Sequence, residues 1–116
     1  MKQAILCKIT DLEDPGSARF DLPVDYPPTV SRTICMIRRG YHVYGYINSC
    51  PHTLAPMDWQ PGQFLSMDKQ RIICSMHGAQ FNIDDGYCIL GPCTGSRLIP
   101  VDLELQNDQV VLKYTP

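Results

Sequence analysis

The 116-residue sequence contains no apolar run long enough to cross a bilayer, and its opening residues, Met1-Lys2-Gln3-Ala4-Ile5-Leu6-Cys7-Lys8, hold none long enough for a secretory signal. Charge is sparse. Only 19% of residues carry one and the net is −2, which gives no electrostatic case for nucleic acid or an anionic membrane as partner. No apolar pattern keeps a helical period for three turns. There is no low-complexity segment, and at 44% apolar residues the chain is not disordered. Its length fits one domain with a modest core and leaves no room for a large substrate domain. These absences together predict a soluble cytoplasmic protein, a single domain over residues 1–116.

What is present reads as short strands. Residues 3–9 predict a strand with Ile5, Cys7 and Ile9 on one face, and residues 10–18, acidic and carrying Pro15-Gly16, predict a loop. Phe20 to Leu22 suit a short strand, and the proline-rich residues 22–28 an extended loop. The apolar run over 33–38 suits a buried strand, turning at Arg39-Gly40 into a return over 41–48 rich in Tyr and β-branched residues. Residues 63–67 and 71–74 predict a hairpin turning at Asp68-Lys69-Gln70. Residues 80–83 and 87–90 predict another, with Asp85-Gly86 as a two-residue turn. Val101, Leu103 and Leu105, then Val110, Leu112 and Tyr114, alternate with polar residues about Asn107-Asp108, although Val111 interrupts the polar face. That pattern predicts a half-solvated antiparallel hairpin. The expected class is all-β. Trp59, the one tryptophan, reads as a packing anchor, and His42 as a surface or partly buried strand residue.

Cysteine is the exception to the scarcity. There are six, at positions 7, 35, 50, 74, 88 and 93, against three histidines. In a reducing cytosol such cysteines more often bind metal than form structural disulfides. Cys50-Pro51-His52 and Cys74-Ser75-Met76-His77-Gly78 each offer a thiolate and an imidazole in the same order, with twenty-one residues between His52 and Cys74. Two thiolates and two imidazoles suit zinc or an iron–sulfur cluster. Zinc knuckles commonly place two sulfurs in one turn. Here each turn gives one Cys and one His across a short gap, which is awkward for zinc and suits a binuclear cluster reached by both loops.

These motifs resemble the Rieske [2Fe–2S] family. The likeness extends to the strand leading into Cys50, to His77-Gly78-Ala79-Gln80-Phe81 with Asp85-Gly86, to Gly91-Pro92 as a third loop beside the cluster, and to closing strands after Leu98. It covers Thr33 to the C-terminus. The resemblance implies antiparallel sheets with a cluster-binding subdomain at about 48–95, formed by two ligand loops. It further implies a [2Fe–2S] cofactor with Cys50 and Cys74 on an inner iron and His52 and His77 on an outer iron near the surface. The interval from His52 to Cys74 exceeds the family's usual one, so an inserted hairpin is expected around Asp68. Ala55 and Met76 occupy the positions where the respiratory type carries a disulfide pair, and Ala79 stands where that type has a serine. Fewer donors to the sulfurs imply a potential at the family's lower end, on the order of −150 mV.

With four protein ligands, neither iron has an open position for substrate. The implied activity is one-electron carriage by a ferredoxin, from a flavin or NAD(P)H-dependent reductase to a terminal oxygenase or another redox enzyme, as a monomer or weak oligomer. It is not expected to be an enzyme alone. Pro51, Thr53, Leu54, Pro56, Met57, Ala79 and Pro92 would form the docking patch. The alternatives are a small Rieske subunit of a nitrite-reductase-like complex and a structural zinc module. Cys88 and Cys93 are expected as thiols in or near the core, with a bond between them left open.

Overall fold

The computed structural model describes residues 1–75 and 78–116. Among the described residues, nine strands form three antiparallel sheets. The strands are β1 (Lys2–Lys8), β2 (Gly16–Asp21), β3 (Thr33–Arg39), β4 (His42–Ile47), β5 (Arg71–Ile73), β6 (Gln80–Asn82), β7 (Cys88–Leu90), β8 (Asp102–Gln106) and β9 (Gln109–Tyr114). The sheet orders are β1-β9-β8, β2-β3-β4 and β5-β6-β7. The fold is all-β, as expected.

Strand β3 explains the layering. A strand's side chains alternate between faces, so an unbroken apolar run means both faces are buried. Ile34 and Met36 pack with Ile9, Leu22, Val110 and Leu112 toward the sheet of β1, β8 and β9. Cys35 and Ile37 pack on the other side with Phe64, Ile72 and Phe81, toward β5-β6-β7. The middle sheet is thus shared between two cores, and the second of them contains Cys50 and Cys74. Register continues the pattern: Ile34 pairs with Ile47 and Arg39 with His42. That pairing moves the turn by one residue, to Gly40-Tyr41.

Several expectations shift for identifiable reasons. A register break between Ile5 and Cys7 turns β1 in mid-course, so Ile5 is 64% exposed and does not share a face with Ile9. Ala4, Leu6 and Cys7 pack on the core instead. Strand β2 begins at Gly16, inside the expected loop, because its full length is paired with β3 from Gly16–Arg38 to Asp21–Thr33. Strand β9 lies between β1 and β8 and buries Val110, Val111 and Leu112, so the second arm of the closing hairpin is not half-solvated, whereas the first alternates as expected, with Asp102 and Glu104 exposed and Leu103 and Leu105 half-buried. Its turn is as read: Asn107 and Asp108 both take positive φ, +51° and +63°, as a two-residue hairpin turn of this hand requires. The β6–β7 connection is longer than two residues. Asn82 N–H bonds the Tyr87 carbonyl at 2.9 Å, enclosing residues 83–86. The hairpin about Asp68 exists, but its first arm is held by a single Leu65–Ile72 bridge and not a strand. Trp59 is 57% exposed, at the edge of a cavity of about 680 Å³ that reaches Cys74, so it anchors no core. His42 is exposed, as its surface reading had it.

Candidate metal centre

The two ligand loops share one backbone. In the first, the N–H of Cys50 donates to the Ala55 carbonyl at 2.9 Å, and Leu54 N–H returns to the Cys50 carbonyl at 2.7 Å. In the second, Cys74 N–H donates to the Ala79 carbonyl at 2.8 Å, and Gly78 N–H returns to Cys74 at 3.1 Å. The spacing is identical, five residues out and four back. Each loop closes on a left-handed residue four past its cysteine, Leu54 at φ +62° and Gly78 at φ +67°. The histidine sits two residues past the cysteine in the first loop and three past it in the second.

Burial differs among the described candidate ligands. Cys50 and Cys74 are 1% and 0% exposed, whereas His52 is exposed at the tip. His77 lies outside the described residues, as does Met76. Among the described residues no three His, Cys, Asp or Glu side chains converge into a metal set. The structure does bring the two thiols together, with Cys74 within hydrogen-bonding reach of the Cys50 sulfur. Burial alone would raise the Cys50 pKa. The backbone N–H of His52, the Cys74 thiol, and the backbone and hydroxyl of Thr53 outweigh it, and the thiol is held below its ordinary value. A buried sulfur ringed by N–H and O–H donors is a seat for a thiolate. Such donors also stabilise a metal-bound sulfur. This donor set fits a cluster held by cysteine.

The loops are anchored by residues that sequence reasoning missed. Asp58, whose side chain is only 2% exposed, accepts from Asn48 Nδ2 at 3.1 Å, Gly62 N–H at 3.1 Å and Arg19 at 3.4 Å. Burial would raise its pKa, but the Asn48 amide, the Gly62 N–H and Arg19 prevail and hold it below the usual carboxylate value. Asn48 Oδ1 accepts the Met57 N–H at 2.8 Å, and the Met57 carbonyl accepts Ser75 N–H at 3.0 Å. One chain of contacts therefore runs from Asp58 through the first loop into the second. Ser17 adds a clasp from β2, donating to the Gly62 carbonyl at 2.7 Å and accepting Phe64 N–H at 3.1 Å. Nothing local in the sequence marks these residues beyond their polarity beside a motif.

The third loop closes the site. A Cβ on Gly91 (φ +104°) would lie 2.9 Å from the Ala79 Cα, so only glycine allows this approach to the second ligand loop. The expected docking patch is smaller than predicted. Leu54, Pro56 and Pro92 are exposed, and Pro51 and Thr53 are half-buried. Met57 and Ala79 are 0% exposed and belong to the core beneath, because the first links the loops and the second lies under Gly91.

The Rieske [2Fe–2S] domain family matches residues 5–112 of the chain. No curated protein matches it in sequence. Among solved structures, the ferredoxin of carbazole 1,9a-dioxygenase from Nocardioides aromaticivorans IC177 is similar with a TM-score of 0.77 at 18% identity, covering 99% of this chain and 100% of that one. A chain from a complex of reduced oxygenase and oxidised ferredoxin in carbazole 1,9a-dioxygenase gives 0.73 at 22% identity, covering 95% and 91%. A putative NADPH nitrite reductase small subunit gives 0.68 at 15%, covering 97% and 99%. At these identities the structural likeness establishes the fold. The family match spans nearly the whole chain and carries the cofactor with it: the protein belongs to the Rieske [2Fe–2S] domain family, and its cofactor is a [2Fe–2S] cluster.

Proposed function

We propose that the protein is a Rieske-type ferredoxin, a single domain in which Cys50 and Cys74 hold the inner iron and His52 and His77 the outer one. The observation that carries this reading is the contrast in exposure across one loop. The Cys50 sulfur is buried among donors, while His52, two residues on, stands at the surface. Bound there, the cluster supplies reversible one-electron chemistry. The chain's own residues do the rest. The donors around Cys50 favour its thiolate form, and His52 presents an imidazole edge to a partner. Leu54, Pro56 and Pro92 form a small apolar rim that sheds water on contact. A small rim with little charge suits a short-lived encounter. The donor is a flavin or NAD(P)H-dependent reductase and the acceptor a terminal oxygenase or another redox enzyme. The likeness to a ferredoxin solved with its oxygenase supports that acceptor. No helix among the described residues is long and apolar enough to cross a membrane.

The test is reconstitution with a ferredoxin reductase and a terminal oxygenase. Turnover should depend on the holoprotein, and low-temperature EPR of the reduced protein should show two histidine nitrogens coupled to the cluster. Coupling from one nitrogen or none would remove the ligand assignment. The likeness to a putative nitrite reductase small subunit supports a second reading, as a subunit. Stable co-purification with a large catalytic chain would favour it.

A further inference from the structure

Two cysteines outside the ligand set lie against each other. The Cys93 Sγ is 2.8 Å from the Cys88 Sγ, and Cys88 also donates to the Leu90 carbonyl at 3.3 Å. Closing from there to the roughly 2.05 Å of a disulfide is a shift of about 0.8 Å, within the play of side-chain torsions. The backbone already holds the loop in this fold. Cys88 N–H bonds the Ser96 carbonyl at 2.8 Å, Gly95 N–H bonds the Cys88 carbonyl at 3.2 Å, and Ser96 N–H bonds the Cys93 carbonyl at 2.8 Å. Both thiols are nearly buried, 3% and 6% exposed.

Their position matters. The loop between them packs Gly91 onto Ala79 of the second ligand loop. Cys93 lies in the same buried core cluster as Cys50 of the first. One short ring thus packs on the second ligand loop and shares a core with the first. Ala55 and Met76 leave no disulfide between the ligand loops themselves.

We propose that Cys88 and Cys93 are a redox-convertible pair, oxidised to a disulfide that pins the third loop over both ligand loops and slows loss of the cluster. The oxidant is a low-molecular-weight disulfide. One cysteine attacks it as thiolate and releases one thiol; the second cysteine then displaces the other and closes the intramolecular bond. Two electrons and two protons leave the pair, and one disulfide becomes two thiols. Because the pair is buried, the exchange is slow and follows loop opening.

The test equilibrates the holoprotein anaerobically in glutathione buffers of increasing disulfide content, then quenches in acid and alkylates under denaturing conditions. Alkylatable thiols should fall from six to four, the chain's six cysteines less this pair. A linked Cys88–Cys93 peptide should appear, with reversal by dithiothreitol and unchanged cluster absorption. Cluster release to a chelator should be several-fold slower in the oxidised form. Six alkylatable thiols at every ratio, a glutathione adduct with no internal link, or a link to Cys50 or Cys74 would overturn the proposal. So would equal release rates. The thiol count reads the wild-type third loop alone, so it can fail without the carrier reading failing, and the reverse. In Cys93→Ser that keeps its cluster absorption, release should no longer respond to the glutathione ratio.

Discussion

The first ligand loop and the second are built on the same hydrogen-bond pattern, yet they reach it differently. The second spends a glycine on its left-handed position, Gly78 at φ +67°, where an added Cβ would meet nothing within 4 Å. The first places Leu54 there at φ +62°, and that side chain is 59% exposed. A left-handed non-glycine residue costs on the order of 1–2 kcal/mol and persists only where its surroundings hold it. In the first loop those surroundings are Thr53, which receives the Ala55 N–H at 3.3 Å, and the Asp58–Asn48–Met57 chain beneath. The second loop gets its closure from the strands on either side, β5 and β6, and from Gly91 above. A loop on a hairpin can use glycine and stay cheap. A loop off a strand end, followed by prolines, needs buried polar anchors, and those anchors can then hold an exposed apolar residue beside His52.

The largest effect should erase the comparison. Cys50→Ser and Cys74→Ser should each remove the cluster altogether, read as iron and acid-labile sulfide per chain. Retention of half the cluster in either variant would mean the two sulfurs are not equivalent ligands. Next comes the anchor. Asp58→Ala leaves the Asn48 amide and the Gly62 N–H without their acceptor and should cost about 2–3 kcal/mol in urea denaturation. A cost below about 0.5 kcal/mol, the range of ordinary surface substitutions, would show that the first loop does not depend on this chain.

Acidity probes the same group. The Asp58 pKa is lower folded than unfolded. Its contribution is therefore fully present above the unfolded value of about 4 and is lost as pH falls through the lower folded value. Between those two values the wild type should lose stability more steeply on acidification than Asp58→Asn, and the two curves should run parallel near neutrality. Parallel curves throughout would remove the ionised carboxylate from the anchor. The smallest effects sharpen the contrast at the left-handed sites. Gly78→Ala should cost about 1 kcal/mol from backbone conformation alone. Leu54→Gly should lie within about 0.5 kcal/mol of wild type, strain relief offsetting the greater freedom of the unfolded chain, while slowing electron transfer to a partner. An unaltered transfer rate would take Leu54 out of the docking rim.

Much of the fold was legible because burial pattern and turn chemistry are local. The unbroken apolar run of β3 and the Asn107-Asp108 turn could be read from neighbours in sequence alone. The misreadings share one cause. Ile5, Val111, Trp59 and Met57 are all apolar, and their exposure or burial depends on which strand or loop lies across from them. Val111 is buried although it breaks its strand's alternation, and its neighbours on the central strand's two sides are Ile5 of β1 and Glu104 of β8, a fact of sheet order. Trp59 is exposed because the turns that carry it run along the rim of a cavity and not across a core.

The sequence by itself determined the chemistry of the centre. Two Cys–His pairs at these gaps offer soft and borderline donors in matching loops, and side-chain identity is a covalent property that folding does not alter. The tertiary structure decided the condition of those candidate ligands. It buried the Cys50 sulfur among donors, brought His52 to the surface, and joined the two loops through Asp58, Asn48, Met57 and Ser75. It also brought Cys93 to within 2.8 Å of Cys88. Desolvation and hydrogen bonding depend on groups that are neighbours only after the sheets have packed, so no spacing along the chain could have given them.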